Sequence, residues 1–246
     1  MEWAAKTHIG KIRDKNEDSY YVEEKNNHIF IVADGMGGHN AGEIASEMAI
    51  QKVSKFIDNK LHGISLINDE DISNLIRKAI DKGNSEIYRQ ALSFENWDGM
   101  GTTITMALFL NDRVYLGHVG DSRAYLLRNG ELTQLTEDHT LVGELVKNGS
   151  ITEVEAKNHP KRNVITKALG TQISPLPDII SYDLYDGDII ILCTDGLTNA
   201  VDNHLIKKSF LNSLNLQVAC DNLVDQANKK GGFDNITLIA IRYRRS

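Results

Sequence analysis

Short apolar runs that break off at an aspartate recur along this chain, and they constrain its fold more than any other feature. Asp34 ends Ile29-Phe30-Ile31-Val32-Ala33 and precedes Gly35. Asp195 ends Ile189-Ile190-Ile191-Leu192-Cys193-Thr194 and precedes Gly196. Asp121 follows Tyr115-Leu116-Gly117-His118-Val119-Gly120. Asp234 comes after Gly231-Gly232 and, with Asn235, opens the run Ile236-Thr237-Leu238-Ile239-Ala240-Ile241. Runs this short, bounded by turn residues, read as buried strands. One Asp-Gly after a strand is an ordinary turn, because Asp bonds its own backbone and Gly takes positive φ. Four carboxylates at the rim of one sheet system are different. They repel one another, and burying them unpaired costs several kcal/mol each. A bound dication removes that cost, and hard oxygen ligands select magnesium or manganese over zinc or copper.

With 246 residues the chain can build one large core or two small ones. Its 41% hydrophobic and 25% charged content places it among soluble globular proteins. A net charge of -7 argues against a nucleic-acid or anionic-membrane partner. Phosphorylated substrates remain open to it, because a bound dication inverts the local field. Cys193 lies in an apolar strand run and Cys220 in a helical pattern, so both read as reduced core residues of a cytoplasmic protein. The N-terminus lacks an apolar stretch of signal-peptide length, and no run reaches the roughly 20 apolar residues of a membrane span.

Periodicity predicts strands near 2–8, 28–34, 101–110, 114–119, 124–127, 179–185, 188–194 and 236–243, with a short one after Gly130. It predicts helices over about 41–56, 71–92, 202–213 and 216–229. Asn111-Asp112, Asn129-Gly130 and Asp186-Gly187 are hairpin signals, which imply antiparallel pairing. Strands and helices in this order suggest sheets covered by helices. Residues 139–163 break the pattern. They carry Lys147, Lys157, Lys161 and Arg162 with few core residues, and read as a small mobile flap of short helices.

Two familiar motifs fail. Arg13-Asp14-Lys15-Asn16-Glu17-Asp18 starts like a calcium loop, but Ser19 and Lys25 stand where Gly and Glu are needed. Asp34-Gly35-Met36-Gly37-Gly38-His39-Asn40 follows a strand as a dinucleotide fingerprint would. Its glycine spacing breaks at Asn40, and Asp34 would face the pyrophosphate. Crowded glycines beside a carboxylate serve better to expose backbone carbonyls to a hard cation.

Several segments, in one order, resemble a known family. They are Arg13…Asn16-Glu17-Asp18, Asp34-Gly35-Met36-Gly37-Gly38-His39, Gly101-Thr102-Thr103, Gly120-Asp121-Ser122-Arg123, Thr194-Asp195-Gly196-Leu197 and Gly232-Phe233-Asp234-Asn235-Ile236-Thr237. Together they resemble the type-2C metal-dependent serine/threonine protein phosphatases (the PPM family) in the short bacterial form. The resemblance spans almost the whole chain as a single catalytic domain, residues 1–246. It implies an α+β fold, a four-layer α-β-β-α sandwich of two antiparallel sheets with helices on both outer faces. It also implies two manganese or magnesium ions at one end of the sandwich, and a third, weaker one. By position, Asp34 would bridge the first two ions, the Gly35 carbonyl would bind one, and Asp195 and Asp234 would hold the other. Glu17 and Asp18 would lie against metal-bound waters or the ions themselves. Asp121, with Asp195, would hold the third ion.

Two ions of this kind lower the pKa of a bridging water and offset phosphate charge, so water attacks and no catalytic Ser or Cys is needed. Arg13 would clamp phosphate oxygens. Met36 stands where animal-type members carry a histidine. The general acid is then His39 or a metal-bound water, and His39 without a catalytic role is an equal alternative. His118 and His139 read as structural. The resemblance implies phosphorylated proteins as substrates, a bacterial serine/threonine kinase as functional opponent, and a monomer. A two-metal phosphodiesterase and a non-catalytic phosphoprotein-binding relic are the competing readings.

Overall fold

The computed structural model describes residues 1–23, 29–37, 41–61, 68–94, 97, 99–171 and 173–245. Eleven strands form two antiparallel sheets among these residues. The first orders β1 (Glu2–His8), β11 (Ile236–Arg242), β10 (Ile189–Cys193), β7 (Arg123–Arg128) and β8 (Glu131–Gln134) side by side. The second orders β2 (Asp18–Glu23), β3 (Ile29–Met36), β5 (Ile104–Leu110), β6 (Arg113–Val119) and β9 (Asp178–Asp183), with β4 (Gly101–Thr102) on the end of β3.

The central strands, such as β3, β5, β10 and β11, are apolar nearly throughout because both faces are covered. Side chains alternate across a strand. Phe30, Val32, Ala107, Phe109, Leu116, Leu126, Ile190, Leu192, Ile239 and Ile241 form the seam between the sheets. Ile29, Ile31, Ala33, Met106 and Leu108 face outward instead. They pack with Ala45, Ala49, Val53, Ile76 and Ile80 of α1 (Ala41–Leu61) and α2 (Asp69–Ser93). On the opposite outer face, Ile191, Cys193, Leu238 and Ala240 meet Phe210 of α6 (Asn203–Asn212) and Cys220 and Leu223 of α7 (Leu216–Lys229). The four layers are therefore helices, sheet, sheet, helices. Cys193 and Cys220 are both free and buried, as the sequence suggested. No helix among the described residues is long and apolar enough to cross a membrane.

Two of the three expected hairpins form. Asn111-Asp112 joins β5 to β6 with both residues at positive φ, and Asn129-Gly130 joins β7 to β8 likewise. Such turns match the twist of paired strands. Asp186-Gly187 does not make a hairpin. β9 pairs with β6 in one sheet and β10 with β7 and β11 in the other, so this turn carries the chain across the sandwich. The Asp188 carboxylate takes both Nε and Nη2 of Arg128 at 3.0 and 2.6 Å, which anchors the crossing. β2 is a strand that periodicity did not predict. Only its pairing with β3 makes Asp18–Glu23 extended. Two short helices, α3 (Leu141–Lys147) and α4 (Glu153–Lys157), occupy the segment read as a flap. Its stem closes where Thr140 bridges Ile165.

Candidate metal centre

Strand ends from both sheets meet at one end of the sandwich, and the acidic residues meet with them. Asp18 begins β2 directly opposite Asp34 on β3. Asp34 is two residues inside β3 rather than at its end. Asp195 is the first residue of a four-residue helix, α5 (Asp195–Thr198), and follows β10 closely. Asp121 lies between β6 and β7, and Asp234 two residues before β11.

Backbone packing holds Asp34 in place. Its N–H donates to Thr103 Oγ1, and its carbonyl accepts from Thr103 N–H and Thr102 Oγ1, each at 2.9 Å. Gly35 follows because nothing larger fits. A Cβ there would stand 2.1 Å from the Gly42 carbonyl oxygen and 2.7 Å from that of Glu17. The start of α1 and the segment before β2 thus close on this strand. Glu17 is half-buried beside Gly42.

The carboxylates are desolvated and under-satisfied. Asp18 Oδ2 accepts from Thr194 Oγ1 at 2.8 Å and Asp195 Oδ2 from Asn199 Nδ2 at 3.0 Å. Asp18 Oδ1, Asp121 Oδ1 and Asp195 Oδ1 are buried with no hydrogen-bond partner. Burial raises the Asp34 carboxyl well above its usual range, and the charges of Asp18, Asp195, Asp121 and Asp234 push it further. Asp18 is pushed up to about 7, mainly by burial, with hydrogen bonds from Thr237 and Thr194 opposing. Asp121 is pushed up to about 8 by burial and then by Asp195. Asp195 rises through burial and the charge of Asp234. Burial also raises Glu17, against the pull of Arg13.

Buried orphan oxygens, all on carboxylates, fit a hard dication. It accepts oxygen ligands only and restores the charge balance that burial has upset. Zinc sites are typically built with histidine nitrogen or cysteine sulfur beside any carboxylate. Among the described residues, no three acidic, His or Cys groups are already closed around a single ion position. Arg13 already partners one of these carboxylates. Its Nη2 donates to Asp234 Oδ2 at 2.9 Å, and this bond raises the pKa of the guanidinium. The side chain is half-exposed and can exchange partners. Of the site residues expected from sequence, Arg13, Glu17, Asp18, Asp34, Gly35, Asp121, Asp195 and Asp234 occupy this end of the sandwich. His39 lies outside the described residues.

His118 and His139 are held by hydrogen bonds in the interior. His118 Nδ1 meets Thr105 Oγ1 at 2.9 Å and its Nε2 meets the Glu137 carbonyl at 3.0 Å. Burial lowers His118 to about 4 and lowers His139 as well.

Asn235 stands in the sequence only as a neighbour of Asp234 with no role of its own, yet it ties the site together. Its Oδ1 accepts the Glu17 N–H at 2.8 Å, and its Nδ2 donates to the carbonyls of Ile9 and Lys15 at 2.9 and 2.8 Å. It thereby moors the segment that carries Arg13 and Glu17. The available signal was a polar residue between Asp234 and an apolar strand. Asn235→Ala removes the partner of three part-buried backbone groups, each costing up to about 1–3 kcal/mol where water does not take the place of the side chain. We expect a clear fall in Tm together with weakened turnover. Unchanged thermal unfolding would show that water replaces the side chain.

A model of the protein phosphatase 2C family matches residues 7–227. Serine/threonine phosphatase stp of Listeria monocytogenes is 41% identical over 238 residues, covering 96% of this chain and 93% of that protein. The crystal structure of the Mycobacterium tuberculosis serine/threonine phosphatase PstP/Ppp superposes with a TM-score of 0.89 at 37% identity, covering 99% of both chains. A structure of the PstP catalytic domain in complex with two manganese ions gives a TM-score of 0.85 at 35% identity, covering 99% of this chain and 98% of that one. The acidic rim, the paired sheets and these likenesses agree, and the chain belongs to the protein phosphatase 2C family.

Proposed function

We propose that this protein hydrolyses phosphoserine and phosphothreonine in proteins at the acidic end of the sandwich, with manganese or magnesium as cofactor. The observation that carries the reading is the set of buried, orphaned carboxylate oxygens on Asp18, Asp121 and Asp195, all close enough for their charges to act on the buried Asp34. Asp34, the Gly35 carbonyl, Asp195 and Asp234 would hold two ions, with Glu17 and Asp18 beside them. Asp121 and Asp195 would hold a third, weaker ion. Bound there, the ions supply charge neutralisation for a phosphate dianion and a water of lowered pKa.

The remaining work belongs to the chain. Thr102 and Thr103 fix the Asp34 backbone, so the central carboxylate does not retreat from its neighbours. Thr194 and Asn199 orient Asp18 and Asp195 by holding one oxygen of each, which leaves the other free as a ligand. Arg13 is bonded to Asp234 and reachable from solvent. With Asp234 engaged as a ligand, the Arg13 guanidinium would be free to turn its fork to phosphate oxygens. His39, or a water at the site, would protonate the leaving serine or threonine oxygen as its bond to phosphorus breaks.

Residues 1–246 would act as one catalytic domain, a cytoplasmic monomer opposing a bacterial serine/threonine kinase. The segment 139–163 would be a mobile flap tuning protein substrates. Its polar surface and short helices support this reading.

Phosphothreonine-peptide hydrolysis that starts on adding manganese and stops with chelator tests the activity. Arg13→Ala tests the phosphate role. We expect a ten- to hundred-fold loss of kcat/KM, since a charge-assisted hydrogen bond contributes roughly 1.5–3 kcal/mol. Manganese affinity should change little. Weakened manganese binding with full efficiency at saturating manganese would assign Arg13 to the metals instead.

A further inference from the structure

The turn that carries Asp121 is gripped from both sides by two consecutive residues of another segment. On one side, Arg123 makes a forked pair with Asp138, Nε to Oδ1 at 2.8 Å and Nη2 to Oδ2 at 2.6 Å. On the other side, His139 bonds Gly120 twice. Its own N–H donates to the Gly120 carbonyl at 2.8 Å, and its ring Nδ1 accepts the Gly120 N–H at 3.1 Å. Asp121 lies between the two grips, buried, with Oδ1 unpartnered.

The ring of His139 has little freedom. It is buried and stacks on His118 with centroids 4.9 Å apart. Because Nδ1 accepts from a backbone N–H, the ring proton sits on Nε2. From there it is donated to Asp178 Oδ2 at 3.2 Å. Lys167 Nζ, 3.3 Å from the same nitrogen, contributes charge rather than a further bond to the protonated nitrogen. The same residue ends the stem of the 140–165 segment: the His139 carbonyl accepts the Thr166 N–H at 2.8 Å. Gly120 itself has φ +117, and a Cβ there would meet Thr103 Cγ2 at 2.5 Å. The turn is therefore pressed against the residue that holds Asp34, and a small change at Gly120 moves Asp121 relative to Asp34.

We propose that His139 is a positioning residue for Asp121, acting through Gly120 to aim the free carboxylate oxygen into the acidic cluster. It touches neither substrate nor cation. This proposal rests on the reading of Asp121 as a ligand of the weakest ion. Residues that orient a ligand in this way commonly change metal affinity ten- to hundred-fold when replaced.

Two conservative replacements separate the grip from general packing. In His139→Asn the amide oxygen can reach the place of Nδ1 and accept the Gly120 N–H, while the bond to Asp178 is lost. In His139→Gln the amide reaches the place of Nε2, so Asp178 keeps a partner and Gly120 does not. Manganese titration of the chelator-stripped full chain by calorimetry, with circular dichroism to confirm folding, reads the effect. We expect the weakest manganese site to bind at least about ten-fold more weakly in His139→Gln, and within about three-fold of wild type in His139→Asn. Asp121→Ala, run beside them, should abolish that site. If Asp121→Ala leaves manganese binding untouched, the ligand reading of Asp121 fails, and this proposal with it. If Asp121→Ala abolishes the site while both His139 variants bind as wild type, or weaken equally, the positioning role alone is overturned.

Discussion

Asp34→Asn is expected to lose nearly all turnover, at least about a thousand-fold, with the fold intact. Asp34 stands where the four other aspartates of the cluster converge, and its carboxyl feels the charge of each. As a carboxylate it can serve two ions, and as an amide it offers one weak oxygen and no charge. Charge stabilisation by such ions contributes several kcal/mol, and each 1.36 kcal/mol is tenfold in rate. The backbone bonds that fix residue 34 run through Thr102 and Thr103 and do not use its side chain, so the strand should persist. Circular dichroism and phosphopeptide turnover on one sample check both halves. Hydrolysis by Asp34→Asn at a near-normal rate would remove the central residue from the account.

The second large effect is on stability, and it depends on pH. In chelator, the protein should become less stable as pH rises from about 6.5 to about 8.5. The folded pKa values of Asp18 and Asp121, about 7 and about 8, lie above the ordinary 3.8. The folded state therefore holds protons that the unfolded state has already lost. Stability from these groups is full below the unfolded pKa and is lost as pH climbs through the folded values. Asp34, raised in the same direction, extends the trend. At lower pH the buried His118, pulled down to about 4, works oppositely, so the window is read above its ordinary 6.5. Manganese should raise Tm most at the alkaline end, where the uncompensated charge is greatest. A Tm in chelator that stays flat or rises across this window would contradict the repulsion argument.

Much of the architecture was legible because the strands are covered on both faces. An apolar run such as Ile189–Cys193 needs partners on two sides, and here the helices and the second sheet provide them, with the hairpin signals marking the sheets as antiparallel. Turns with a local chemical cause were legible too, such as Asn111-Asp112 with both residues at positive φ. What failed depends on distant pairing. Asp186-Gly187 has hairpin chemistry, yet the strands beside it belong to different sheets. β2 carries little apolar pattern, and β3 makes it a strand.

Asp34, Asp121, Asp195 and Asp234 were legible as a set, because each interrupts or adjoins a buried run, whereas Glu17 and Asp18 entered only through the family resemblance. Their supports were not. Thr194, Asn235 and the His139–Gly120 pair act across 176, 218 and 19 residues of chain. The pairing of Arg13 with Asp234 likewise joins residues 221 apart. No local pattern announces such bonds.

If the carboxylate cluster gathers hard dications, phosphate hydrolysis must depend on them. Manganese titration of the chelator-stripped protein, followed by calorimetry with phosphothreonine-peptide turnover recorded at each point, tests it most directly. We expect at least two ions bound per chain, turnover that rises with their occupancy, and no turnover before the first addition. Full turnover in chelator, or manganese binding that leaves turnover at zero, would contradict it.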